Sequence, residues 1–215
     1  NGETRAFRKD RTLSELRESF LKCARPYADW IQLLGDWKEK SEPTLNNMRF
    51  PFPEPREGQR EMAKTIFLSM KHSSNALIEA PTGIGKTAAS LYGALKALGK
   101  GFITNVFYLT ARTTGRRAAE TALEIMRAQG VMIRSVAITA KEKCCPMEKV
   151  ECFGCPNAAG YYERRGQALR EGMSIQALDA EKIAALAQKY EICPHELSLD
   201  LSELADVIIC DYNYA

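Results

Sequence analysis

The feature that most constrains this 215-residue chain is a glycine-rich segment at residues 80–87, Ala-Pro-Thr-Gly-Ile-Gly-Lys-Thr. It follows a short apolar run at residues 75–80 and precedes an Ala- and Leu-rich stretch at residues 87–98. The sequence therefore predicts a buried strand, a loop and a helix in that order, which is the setting of a P-loop. A chance glycine-rich turn is the alternative, and the order of elements disfavours it.

The predicted chemistry of this loop is phosphate binding. Glycines let the backbone turn its N–H groups towards phosphate oxygens, Lys86 can reach the β- and γ-phosphates, and the Thr87 hydroxyl can ligate Mg²⁺. Ala80 departs from the strict pattern, which has Gly at that position. We expect Lys86 and Thr87 to be catalytic, and the binding residues to be Pro81, Thr82, Gly83, Ile84, Gly85, Lys86 and Thr87.

The rest of the chain alternates between helix and strand patterns. Apolar runs predict strands at residues 75–80, 106–109, 133–138 and 206–211, and periodic patterns predict helices at residues 56–71, 87–98 and 112–129. Such alternation predicts an α/β fold with a parallel sheet.

The N-terminal part has a different pattern. Residues 13–40 carry apolar side chains at helical spacing, which predicts a helix that packs on a core and is kinked or split at Pro26. Four prolines make residues 41–55 a predicted extended linker. We therefore expect residues 1–50 to be a helical lead-in. The chain lacks an initiator Met and an apolar leader, so we expect a cytoplasmic fragment of a longer protein without a membrane partner.

Seven cysteines are present, and five of them crowd into residues 144–193. In a chain without a leader, such crowding favours a metal site over a disulfide scaffold. On spacing alone, an iron–sulfur cluster and zinc are equal alternatives. Cys23 and Cys210 are predicted to be small buried hydrophobes. The predicted ligands are Cys145, Cys152, Cys155 and Cys193, in a segment with two helices at residues 157–171 and 179–190. Cys144 is the alternative to Cys145, which is preferred because a proline follows it, as at many iron–sulfur ligands.

Basic charge is concentrated beside the cysteines. The chain carries a formal net charge of +3, whereas residues 112–149 alone hold eight Arg or Lys and four Glu. The run Tyr-Tyr-Glu-Arg-Arg follows at residues 161–165, and rings with guanidinium groups suit a single strand of nucleic acid. From this run, Tyr161, Arg164 and Arg165 are the predicted contacts. A solvated helix face with a packed tyrosine is an equal alternative.

Several motifs in order resemble the XPD/DinG family of iron–sulfur superfamily 2 DNA helicases over residues 50–215. They are Arg-Glu-Gly-Gln at residues 56–59, the loop at residues 79–87, Tyr-Leu-Thr-Ala-Arg-Thr at residues 108–113, the cysteine segment, and residues 205–214.

The resemblance implies a RecA-like motor domain from residues 51–140 and 194–215, incomplete here, with a helical [4Fe–4S] insertion at residues 141–193. It implies ATP and Mg²⁺ as cofactors, with Gln59 reading adenine, and the four cysteines holding the cluster. It also implies DNA contacts from Thr110, Arg112 and Thr113. The parent would be an ATP-dependent 5′-to-3′ helicase with a second RecA domain, acting on single-stranded DNA or at a junction with duplex.

The sequence also departs from the family pattern. The family's Asp-Glu-Ala-His box does not occur in this sequence. Asp211, at the end of the last apolar run, is followed by Tyr212 rather than by Glu. We therefore expect the fragment alone not to hydrolyse ATP. The alternative function is a nucleotide-switched nucleic-acid-binding protein with a zinc or iron–sulfur domain. A P-loop kinase with a zinc insertion is disfavoured by residues 108–113.

Overall fold

A computed structural model describes residues 9–214. It divides into two compact units, with the boundary between Glu39 and Lys40. Residues 1–8 of the predicted lead-in and residue 215 of the predicted motor domain lie outside the described residues. Among the described residues, no helix is both long and apolar enough to cross a membrane.

The first helix, α1 (Leu13–Asn47), is longer than predicted. It starts with a capping box in which the Thr12 hydroxyl accepts from the Glu15 N–H at 3.2 Å and the Glu15 carboxylate accepts from the Thr12 N–H at 2.8 Å. The predicted split at Pro26 is wrong, because α1 continues through that residue, while the alternative of a kink there stays a prediction. Leu13, Leu16, Phe20, Tyr27 and Ile31 are exposed, and the packing partner predicted for this apolar face stays a prediction.

The end of α1 belongs to the second unit and packs into its core. Leu45 and Met48 are buried, and the Asn46 amide donates to the Gly99 carbonyl at 2.7 Å. The predicted extended linker over residues 41–55 is therefore wrong for residues 41–47, which remain helical. These contacts with α3 outweigh the prolines that suggested a linker.

The second unit is built on a four-stranded parallel sheet, so the predicted parallel α/β fold is confirmed. Its strands are β1 (Val106–Leu109), β2 (Ser135–Ala137), β3 (Ala177–Leu178) and β4 (Val207–Cys210), in the order β1-β4-β2-β3. Val207 of β4 lies opposite Val106 on one side and Ser135 on the other. Every residue of β4 is buried.

Helices cover both faces of this sheet. They are α2 (Gln59–Lys71), α3 (Lys86–Gly99), α4 (Thr113–Ala128), α5 (Lys141–Cys144), α6 (Tyr161–Gly172), α7 (Ala180–Lys189) and α8 (Pro194–Ser202), with a 3₁₀ turn at Tyr212–Tyr214. Val207 and Ile209 of β4 pack in one core with α3 and α4. Ile208 and Cys210 face a second core with α6, α7 and α8. This double covering explains why β4 is apolar throughout rather than alternating.

Two strand predictions differ from the structure. The predicted strand at residues 75–80 is irregular, and Leu77 on it is fully exposed. An apolar run becomes a strand only when a neighbour accepts its hydrogen bonds, and β1, at the edge of the described sheet, pairs with β4 alone. The unpredicted β3 pairs with Ser135 and Val136 of β2. The predicted cysteine-rich insertion thus contributes a strand to the sheet. Its boundaries stay a prediction.

Candidate nucleotide site and nucleic-acid surface

The loop at residues 80–87 folds as the glycines require. Gly83 and Gly85 adopt φ values of +82° and +86°, a left-handed conformation that is costly for residues with a Cβ. Gly85 caps α3, which begins at Lys86. The N–H groups of the first turn of α3 therefore point back at the loop, and this arrangement favours an anion.

A buried glutamine holds this loop in place. The Gln59 amide, 2% exposed, donates to the Ile84 carbonyl at 2.5 Å and accepts from the Arg56 N–H at 2.8 Å. The Arg56 guanidinium donates to the Gly83 carbonyl. A Cβ on Gly85 would overlap the Gln59 amide nitrogen. In this structure Gln59 braces the loop, and its predicted adenine contact stays a prediction.

The two predicted catalytic side chains lie at the start of α3. The Lys86 ammonium donates to the Ala80 carbonyl at 3.0 Å and the Pro81 carbonyl at 2.8 Å. Phosphate oxygens would be stronger acceptors than these neutral carbonyls, because charge-assisted bonds are stronger. The Thr87 hydroxyl lies 3.2 Å from the Tyr108 hydroxyl on β1. Pro81, Thr82, Gly83 and Ile84 line an open cleft with Arg56 and Gly58.

The three residues predicted to touch DNA lie together where β1 ends and α4 begins. Thr110, Arg112 and Thr113 line a cavity of about 320 Å³ at the carboxyl ends of β1, β2 and β4. Arg116, which was not predicted as a site residue, lines it too and donates to the Ala137 carbonyl and the Thr139 hydroxyl, both at 3.0 Å. Lys143 adds a further cation to the lining. Glu142 and Asp211 line the cavity as well, so its three cations exceed its carboxylates by one. The cations and the threonine hydroxyls suit contacts with a phosphate backbone.

The structure separates the members of the predicted aromatic and basic cluster on α6. Tyr161 is only 6% exposed and donates to an Asp200 carboxylate oxygen at 2.7 Å, so it is wrong as a surface contact. Burial, and then the bond to Asp200, raise the pKa of Tyr161. Arg165 donates to the same oxygen at 2.7 Å. Arg164 donates to the Pro156 and Ala159 carbonyls.

The exposed aromatic residue of this helix is Tyr162, which was not among the predicted site residues and is 76% exposed. Helical periodicity alone does not distinguish the two tyrosines, because Leu169, seven residues after Tyr162, also packs against the core. Tyr161 and Ala168 are seven residues apart and share the buried face of α6. Tyr162 is one step round from that face, and it is turned towards solvent.

The cysteines are all unpaired thiols, as expected for a metal-binding segment. Cys144 lies close enough to Cys193 and Cys145 for their charges to affect its pKa, which burial, the largest cause, raises. Within residues 9–214, however, no three His, Cys, Asp or Glu side chains form a group that could hold a metal ion. The donor chemistry therefore fits iron or zinc, but a closed ligand set is not assembled among the described residues. Cys210 is buried as predicted, whereas Cys23 is exposed.

Sequence comparisons agree with the motifs. The DEAD_2 family matches residues 129–215. The "Regulator of telomere elongation helicase 1 homolog" of Caenorhabditis elegans is 23% identical over an alignment that covers 78% of this chain and 21% of that protein. Its namesake in Caenorhabditis briggsae is 24% identical, also over 78% of this chain and 21% of that protein.

A shorter and more similar match lies in an archaeon. The "Probable ATP-dependent helicase MJ0942" of Methanocaldococcus jannaschii is 45% identical over 47 residues, which cover 22% of this chain and 7% of that protein. The chain thus spans about a fifth of the length of the two Caenorhabditis relatives. Together, these matches confirm the predicted likeness to XPD/DinG-like superfamily 2 helicases.

Proposed function

We propose that this chain, a piece of an XPD/DinG-like superfamily 2 helicase, binds ATP and Mg²⁺ and supplies part of the motor that separates DNA strands. The observation that carries the proposal is the loop at residues 80–87. Its left-handed glycines, the start of α3 and the Lys86 ammonium converge on one small region. That combination of backbone N–H groups and a cation suits the phosphates of a nucleoside triphosphate.

A short path supports coupling between nucleotide and DNA. The Thr87 hydroxyl, the proposed Mg²⁺ ligand, contacts the Tyr108 hydroxyl on β1. Thr110, two residues after Tyr108 and just past the end of β1, begins the turn that lines the cavity. We propose that single-stranded DNA contacts this cavity through Thr110, Arg112 and Thr113. A change at the Mg²⁺ ligand would then reach the DNA contact through one strand.

The cluster belongs to the proposal through the chemistry of its donors. Four thiols could hold a [4Fe–4S] group, which would give the segment between β2 and β4 a rigid centre. The predicted ligands are Cys145, Cys152, Cys155 and Cys193. The 5′-to-3′ direction, the position at the duplex junction, the second RecA domain and the cytoplasmic location stay predictions.

The test is Lys86→Ala in the full-length protein, assayed for ATP hydrolysis with and without single-stranded DNA. We expect turnover to fall about 10²-fold or more, because the lost cation contacts charge that grows in the transition state. The fold should persist, since the Lys86 ammonium donates to the exposed loop carbonyls of Ala80 and Pro81 rather than to a core residue. Lys100→Ala, at the other end of α3, is the matched control and should leave turnover unchanged.

Two outcomes would count against the proposal. Wild-type turnover in Lys86→Ala would refute the phosphate role of the loop. If the protein binds ATP but single-stranded DNA does not stimulate its hydrolysis, the result would instead favour the nucleotide-switched binding protein. A motor must couple ATP hydrolysis to DNA binding.

A further inference from the structure

The feature that supports a further inference is the ring of Tyr162 near the start of α6. Its neighbour Arg165, one helical turn on, places its guanidinium carbon 4.7 Å from the centre of that ring. Tyr161 adds an edge-to-face contact, with ring centres 5.5 Å apart and planes at 81°. The ring is therefore braced on one face and one edge while the side chain remains 76% exposed.

The bracing groups are themselves fixed from another helix. Asp200 of α8 accepts from Arg165 at 2.7 Å and from the Tyr161 hydroxyl at 2.7 Å, both through the same oxygen. An exposed surface arginine ordinarily samples many rotamers, so a guanidinium placed in this way is unusual on a surface. The side chains that support Tyr162 already lose their conformational entropy when the protein folds. Less conformational entropy is therefore lost when a ligand binds.

The open ring face and its surroundings indicate which ligand fits. A planar π system can stack on tyrosine whatever its sequence, and a guanidinium behind the ring strengthens the platform through cation–π attraction. Arg164 donates through one nitrogen to the Pro156 and Ala159 carbonyls, which are neutral, so these bonds leave its positive charge available to a phosphate. A base with its phosphate meets both features, whereas duplex DNA keeps its bases stacked inside.

We infer that Tyr162, seated on Arg165 and Asp200, is a stacking platform for an unpaired base of single-stranded DNA. This inference rests on the proposed function and adds a residue to it. It also replaces Tyr161, which the structure buries, as the aromatic contact of this helix. Arg165 and Asp200 are positioning residues, since they act through the ring.

The experiment measures the affinity of the full-length protein for a fluorescent oligothymidylate by anisotropy, over a range of salt concentrations. Tyr162→Ala and Tyr162→Leu should each bind about 10-fold more weakly, in keeping with the stacking energy of one base. Tyr162→Trp should bind as well as the wild type. The salt dependence should not change in any of these variants, because stacking releases no counterions. Tyr27→Ala, at a similarly exposed tyrosine of the first unit, is the matched control.

An abasic oligonucleotide separates stacking from a structural effect. It should weaken binding to the wild type, and Tyr162→Ala should then cause little further loss, because the contact is already missing. Equal affinity of wild type and Tyr162→Ala for the intact strand overturns the inference alone. A Tyr162→Ala loss that persists undiminished on the abasic strand also overturns it. A wild-type protein that does not bind the strand overturns the proposed function as well.

Discussion

Gly85→Ala tests whether Gln59 braces the phosphate loop. Gly85 lies at φ +86°, where an alanine costs about 1–2 kcal/mol. The new Cβ would also overlap the amide nitrogen of Gln59, which is 2% exposed and bonded to the Ile84 carbonyl. Displacing that amide leaves a buried polar group unsatisfied, at about 1–3 kcal/mol. We therefore expect Gly85→Ala to lower the free energy of unfolding by about 2–5 kcal/mol.

Gly83→Ala is the matched control for the cost of placing an alanine in a left-handed backbone conformation. Its φ of +82° is nearly the same, and a Cβ there would meet nothing within 4 Å. This variant should lose only the strain of about 1–2 kcal/mol. Urea unfolding followed by circular dichroism measures both values. The difference between the two variants isolates the clash with Gln59.

A double-mutant cycle completes the test. In a Gln59→Ala background the overlapping amide is gone, so Gly85→Ala should cost no more than Gly83→Ala does. Equal costs for the two glycine variants in the wild-type background would refute the bracing role. So would a Gly85→Ala cost that does not shrink in the Gln59→Ala background.

Two further predictions concern the N-terminal cap of α7 and the cysteines. Asp179 caps α7 by accepting a hydrogen bond from the Lys182 N–H at 2.9 Å. Desolvation tends to raise the pKa of Asp179, but the hydrogen bonds from Lys182 outweigh this effect, so the pKa is lowered. Asp179→Ala should therefore lower the free energy of unfolding by about 1 kcal/mol at pH values above the unfolded-state pKa of the carboxyl. This loss should shrink as the pH falls through the folded-state pKa, whereas the loss in Asp179→Asn should depend little on pH. A loss in Asp179→Ala that stays constant with pH would contradict the prediction. For the cysteines, protein purified without oxygen should contain about four irons per chain. Cys145→Ser should lose them, while Cys144→Ser should keep them, as measured by iron analysis; one zinc and no iron would refute the cluster.

The sequence predicts the α/β class and the loop well because both depend on local patterns. Gly83 and Gly85 lie in the left-handed turn, and Lys86 lies at the helix start, as their fixed spacing predicts. Their contacts with a nucleotide stay predictions. The strand at residues 75–80 failed because a strand depends on a partner, which no local pattern supplies. The packing of α1 stays a prediction, since an amphipathic face shows that a helix can pack but not what it packs against.

The α6 cluster shows where residue type alone is a weak guide. Tyr161, Arg164 and Arg165 have the composition of a nucleic-acid contact, and they were chosen for that reason. The structure uses Tyr161 and Arg165 to hold Asp200, and it leaves the adjacent Tyr162 on the outside. Long-range partners such as Asp200 could not be found from one sequence without a fold.

The position of β4 has a consequence for how the chain folds. β4 joins β1 to β2, yet it follows both by a long stretch of sequence, so two large loops must close before the sheet is continuous. Loop closure of this kind slows folding, because its entropic cost is incurred before the distant contacts form. Until residues 207–210 arrive, β1 and β2 present unpaired edges and apolar faces, which makes them the segments most exposed to mispairing with another chain during synthesis.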